Sequence, residues 1–286
     1  MIPARKFASI TIILLSVVAT VDSCMQFRMS KSEIRQFFSD KKWKGTLHEY
    51  KVGHGRVINY LHVGDESLPL VVFVHGSPGS LSAFIHFAND SVLLKYAQII
   101  SVDRAGFGES NFGQGEKSLK NQAQYLKPIL EKYKNNRPTI LVGHSLGGPV
   151  IARMAMDYQE LVDGLVIVAG SIDPDLEPNE WFRAPLATPL FTWIMPRSIR
   201  ASNYEIYMLK PQLQEMIPLW SKITCPTVVI QGSKDDLVSP KNAEFAKKML
   251  VNASSLEFII KDEMNHFVPW QHPELIRQGI LRLLKK

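Results

Sequence analysis

Six runs of strand length, apolar at nearly every position, recur along this chain: LVVFVH (70–75), AQIISV (97–102), TILVG (139–143), GLVIVA (164–169), TVVIQ (227–231) and LEFII (256–260). Strands that carry no polar alternation are buried on both faces. Helical segments separate them. In SLKNQAQYLKPILEKY, Leu119, Ala123, Leu126, Leu130 and Tyr133 fall on one stripe, and Pro128 predicts a kink. LGGPVIARMAMDY follows the third run after a turn of a few residues. This alternation predicts an α/β fold: a mostly parallel central sheet with helices on both faces. Upstream, TLHEYKV and GRVINYLHV flank Gly53-His54-Gly55 and read as a hairpin, preceded by a polar helical stretch, KSEIRQFFSDKKW. Sheets of this kind bind ligands outside the carboxyl ends of their strands, so the polar residues at those ends carry the functional signal.

The third run leads straight into Gly143-His144-Ser145-Leu146-Gly147-Gly148. This is G-x-S-x-G between a strand and a helix. The glycines let the chain turn sharply with Ser145 at the apex and the helix N-terminus beneath it. A lone serine is a poor nucleophile and needs a base held by a third group.

On these residues the chain resembles an α/β-hydrolase of the serine type, over residues 45–286, with a helical cap inserted at about 171–222. The resemblance implies a Ser, acid, His order along the chain. Gly232, two spacers and Asp235 match the family's pattern for the orienting carboxylate, and Asp236 is its rival. Some members place the acid after the preceding strand, where this chain has Asp173 and Asp175. The base follows the last strand, at His266. The family commonly has Gly before it, whereas this chain has Asn265, a residue that tolerates positive φ. His272, before Pro273, reads as a helix-entry residue. An oxyanion needs two N–H donors, and the resemblance assigns them to the backbones of Leu146 and Ser77. Gly76 permits the close approach, and Pro78 cannot donate. His75 and His144 read as shaping residues, and Asp103, Arg104, Gly106 and Gly108 of VDRAGFGES as supports of the loops.

The implied reaction is hydrolysis of a small-molecule carboxylic ester through an acyl-enzyme. Amide or peptide cleavage and a non-catalytic binding protein are the alternatives. A serine at the elbow argues against the dehalogenase and epoxide-hydrolase branches, which use Asp there. In the insertion, Trp181, Phe182, Phe191 and Trp193 are the candidates for lining an apolar pocket. No cofactor is expected: no G-x-G-x-x-G follows the first buried run, GQGEKS lacks phosphate-loop spacing, and no metal motif is present.

The N-terminus is of another kind. Arg5 and Lys6 precede an apolar run from Phe7 to Val21, about 15 residues and short of a comfortable membrane span. Residues 1–23 therefore read as an export signal. Val21-Asp22-Ser23-Cys24 resembles the bacterial lipoprotein signal, with Asp22 where a small or apolar residue is usual. Cys24 is then the lipidation candidate; an ordinary cleaved signal and an uncleaved anchor are the alternatives. Net charge is +6, with the basic residues dispersed, which gives no nucleic-acid footprint. With two cysteines in all, Cys24 and Cys225, a cysteine metal cluster is excluded.

Overall fold

The structure is a computed structural model that describes Ser16 and residues 18–285. Its centre is one eight-stranded sheet in the order β1-β2-β4-β3-β5-β6-β7-β8. The strands are β1 (Thr46–Val52), β2 (Arg56–Val63), β3 (Leu70–Val74), β4 (Gln98–Val102), β5 (Thr139–His144), β6 (Gly164–Val168), β7 (Thr227–Gly232) and β8 (Leu256–Lys261). The hairpin β1–β2 is antiparallel and joins β4 antiparallel; every other pairing is parallel.

Successive side chains of a strand point to opposite faces, and both faces are covered. Val72 and Val74 meet one layer, with α2 (Leu119–Tyr133) and α3 (Gly147–Asp157), through Leu126, Leu130, Val150 and Met154. Val71 and Phe73 meet the other, with α1 (Lys31–Ser39) and α7 (Pro273–Leu284), through Ile34, Phe38, Ile276 and Ile280. Each such side chain, fully buried, contributes about 1.5–3 kcal/mol, which explains the unbroken apolar runs. β8 differs from its expected burial on both faces: it is an edge strand, and its residues are half-buried or exposed. α2 runs on through Pro128 to Tyr133.

Between β6 and β7 the chain leaves the sheet. It forms one-turn elements at Pro174–Leu176, Arg183–Leu186 and Pro189–Thr192, then α4 (Arg197–Tyr207), α5 (Leu209–Met216) and a 3-10 turn at Ile217–Lys222. α6 (Asn242–Met249) follows β7. At the N-terminus, residues 18–24 are helical, and Cys24 is exposed with a free thiol. The rest of the apolar run, and Arg5 and Lys6, lie outside the described residues. Among the described residues no helix is long and apolar enough to cross a membrane.

Candidate active site

β5 ends at His144, and Ser145 is held in the left-handed region at φ +53°. For a residue with a Cβ this costs about 1–2 kcal/mol, and the surroundings fix it. The Ser145 amide donates to the Val168 carbonyl at 2.9 Å, and its own carbonyl accepts from Gly148 N at 2.9 Å. The flanking glycines are required by contact. A Cβ on Gly143 would stand 2.4 Å from the Gly147 carbonyl oxygen, and one on Gly147 would stand 2.2 Å from that of Val74. Gly76, in the loop after β3, passes so close that a Cβ there would lie 2.8 Å from the Ser145 Cβ.

Two further loops converge on this turn. A Cβ on Gly232 would fall 2.0 Å from the Met264 carbonyl oxygen, so the ends of β7 and β8 can approach only at a glycine. Lys234 N donates to Met264 O at 3.1 Å and Ser233 N to Lys261 O at 3.0 Å. The loops carry Asp235 and His266, whose Oδ2 and Nδ1 lie 2.8 Å apart, both residues buried. Asp235 is otherwise saturated. Gln231 Nε2 reaches Oδ2 at 3.1 Å, and the amides of Leu237 and Val238 reach Oδ1 at 3.0 and 2.8 Å. Burial raises its pKa, but the bonds from His266, Val238 and Leu237 together hold it below the ordinary carboxylate value. An ionised Asp235 makes Nδ1 the protonated nitrogen of His266 and leaves Nε2 with its lone pair.

Among the described residues none of the rival carboxylates bonds to the His266 ring. Asp236 is exposed, and Asp173 caps the turn Pro174–Leu176 by accepting from the Asp175 amide at 2.9 Å. His272 stands at the cap of α7, half-buried, 3.5 Å from Glu274. Asn265 is not left-handed: among the described residues the positive-φ positions other than glycine are Phe27, Asn111, Ser145 and Ala169. Instead its side-chain oxygen accepts from Phe267 N at 2.9 Å, a local turn that a glycine could not make.

The two flanking histidines act on geometry. His144 Nε2 donates to the His266 carbonyl at 2.9 Å, tying the serine turn to the histidine loop. Burial, and the neighbouring His266, push its pKa down to about 3, so it is a neutral strut. His75 donates from Nδ1 to the Gly76 carbonyl at 2.6 Å and accepts the Arg104 amide at Nε2, 3.0 Å away. Among the described residues neither the Ser77 nor the Leu146 amide has an acceptor. Ser77 is held through its hydroxyl, which donates to Ser202 on α4 at 2.9 Å.

The fold agrees with that of known proteins. A family model described as the alpha/beta hydrolase fold matches residues 69–193. A membrane phospholipase A described as a bacterial virulence factor superposes with a TM-score of 0.65 at 19% identity, covering 98% of each chain. A putative lipase from Acinetobacter baumannii superposes at 0.67, with 19% identity over 89% of this chain and 95% of that one.

This chain has the α/β-hydrolase fold.

Sequence relatives match over different shares of the chain. A 2-hydroxy-6-oxononadienedioate/2-hydroxy-6-oxononatrienedioate hydrolase of a Pseudomonas species is 23% identical over 82% of this chain and 95% of its own. The sn-1-specific diacylglycerol lipase ABHD11 of Mus musculus is 32% identical, but the match spans 37% of this chain and 34% of that one.

Two cavities meet at Ser145. The larger, about 570 Å³, is mainly apolar and is lined by Ser145 and His266 with Phe27, Ala83, Ile199, Leu237, Phe267 and Trp270. The smaller, about 340 Å³, places Ser145 and His266 beside Ser171, Glu177, Glu180 and Arg183. Trp181, Phe182, Phe191 and Trp193 are the residues expected to line an apolar pocket. None of the four lines either cavity. They ride on and beside the one-turn elements at 183–186 and 189–192, with Trp181 80% and Trp193 52% exposed. The insertion instead turns Ile199 and Ile206 of α4 toward the cavities. Their seven-residue spacing on one helix was the available signal. Phe267 and Trp270, one and four residues after His266, were equally open to view in the sequence. Phe27 lies so far upstream that nothing local marked it.

Proposed function

We propose that the protein is a serine hydrolase that cleaves carboxylic esters with an apolar acyl group. The observation that carries this reading is the convergence of Ser145, at the strained apex of a strand–helix turn, and the Asp235-bonded His266 on one apolar cavity. His266 Nε2 takes the Ser145 proton as the serine oxygen attacks the ester carbonyl. Asp235 holds the ring and stabilises the imidazolium. The Ser77 and Leu146 amides receive the oxyanion. The imidazolium then protonates the departing alkoxide, and water, activated by the same histidine, releases the acid from Ser145.

The 570 Å³ cavity suits an acyl chain, and the smaller, more polar one suits the alcohol. Ester cleavage is favoured over peptide cleavage because the larger cavity offers so little for a peptide backbone to bond. Likeness to proteins described as a diacylglycerol lipase, a phospholipase A and a lipase supports an acyl-lipid substrate class. The charged and apolar N-terminal pattern supports export, with Cys24 as the point of a membrane tether. A panel of esters and peptides, with wild-type protein and Ser145→Ala, tests the reading. Ester turnover that vanishes in the variant is expected. Turnover of peptides and no ester overturns the ester assignment, and no turnover of either favours a binding protein.

A further inference from the structure

Residues 25–29 lie between the apolar N-terminal run and α1, upstream of the region matched by the family model. They are fastened to the body on two sides of the site. On one side, the Ser198 hydroxyl on α4 donates to the Met25 carbonyl. On the other, Arg28 donates to the Gly108 carbonyl and, at 2.9 Å, to the Glu109 carboxylate, both in the loop after β4. Its guanidinium also lies 4.1 Å from the centre of the Phe112 ring. The Met29 amide reaches the Ser82 hydroxyl at 3.3 Å. In the unprocessed chain Asp22 adds a two-point pair with Arg197, at 2.7 and 3.0 Å. Between these fastenings sits Phe27, left-handed at φ +50° and lining the cavity that holds Ser145.

A bulky aromatic residue keeps a left-handed backbone only where its surroundings over-determine it. A mere connector would need neither that conformation nor bonds to both the insertion and the sheet. Ser82 lines the same cavity, and so does Ile199, the residue after Ser198, so one of the fastenings is part of the wall and another adjoins it.

We propose that residues 25–29 form a fixed wall of the acyl cavity and that Phe27 sets the length of acyl chain presented to Ser145. The proposal rests on reading Ser145 as the nucleophile. It places a determinant of specificity three residues after Cys24, in a segment retained whether or not the chain is processed before that cysteine. A chain tethered at Cys24 has this wall, and the cavity behind it, close to the surface that holds it.

The test compares the rates at which short- and long-chain alkyl fluorophosphonates label Ser145 in the full protein. Phe27→Ala enlarges the cavity and should raise the long-to-short ratio by about tenfold, the value of a methylene or so of apolar fit. Phe27→Trp should lower it by a similar factor. Arg28→Ala, which unfastens the segment and leaves Phe27 in place, should move the ratio in the same direction as Phe27→Ala. If Phe27→Ala does not fold, Phe27→Trp and Arg28→Ala decide the matter. Labelled wild type with the same ratio in every folded variant overturns this proposal alone. Wild type that neither probe labels overturns the hydrolase reading and this proposal with it.

Discussion

Arg104 and Glu205 are each 1% exposed and meet in a two-point ion pair, Nη1 to Oε2 at 2.7 Å and Nη2 to Oε1 at 2.9 Å. The same guanidinium donates to the carbonyls of His75 and Gly76, both at 2.8 Å, and to Gln122 Oε1 at 2.7 Å. The loop that carries Ser77 is thereby joined to α4. Removing one partner of a buried pair strands the other charge, at a cost of about 3–5 kcal/mol. Glu205→Ala should lower Tm by roughly 10 °C, taking about 2–4 °C per kcal/mol for a chain of this size. It should also lower kcat by loosening the Ser77 loop. Scanning calorimetry with ester kinetics checks both, and an unchanged Tm contradicts the role given to the pair.

His266 and His272 stand six positions apart and differ in every respect that matters. One is buried against Asp235, and the other is half-buried at a helix entry, beside Glu274. His266→Ala should lower kcat by roughly 10⁶, as expected when a base is removed from a nucleophile–base pair. His272→Ala should leave kcat/KM at the wild-type value. Steady-state kinetics on the two variants separates them, and a large loss in His272→Ala would refute the assignment.

Asp235→Asn keeps the size of the side chain but favours the wrong histidine tautomer, and kcat should fall by about 10⁴. Asp173→Asn, at the other position where the acid can stand in this fold, should retain turnover, because Asp173 only caps a turn. The same ester assay distinguishes them. Activity surviving in Asp235→Asn and lost in Asp173→Asn would move the acid to the end of β6.

The His144 strut makes the fold sensitive to acid. Its folded pKa is lowered to about 3, chiefly by burial, from an ordinary 6.5. Above 6.5 it is neutral in folded and unfolded chains alike, and its stabilising contribution is complete. Below that the unfolded chain takes up a proton that the folded chain refuses, so stability drains as pH falls toward about 3. At pH 5 the loss is about 2 kcal/mol, from roughly 1.4 kcal/mol per pH unit. Denaturant midpoints at pH 7.5 and 5 measure it. His144→Gln should lessen the slope in this range, to which buried His75 also contributes, and an equally steep slope in the variant would exclude a contribution from His144.

The sheet was legible because its strands are buried on both faces, which writes continuous apolar runs into the sequence. β8 was misjudged in burial because an edge strand can be apolar and still face solvent on one side. Ser145, Asp235 and His266 were open to view because each follows the end of a strand, at a spacing that local turns dictate. Pairings across the chain left no such trace. Nothing near Arg104 names Glu205, 101 positions later, and nothing near Phe27 names the cavity it lines. The aromatics of the insertion drew attention by composition alone. Which of them face inward depends on how short turns fold back, and that information lies in the packing of α4.

The central claim is that Ser145 carries the acyl group between two half-reactions. Acid quenching during turnover of a slow ester, followed by peptide mass analysis, examines it directly. The account predicts one acyl addition on the peptide containing Ser145, absent from Ser145→Ala and accumulating in step with the burst of alcohol. Turnover with no adduct at Ser145, or an adduct on another residue that persists in Ser145→Ala, would contradict it.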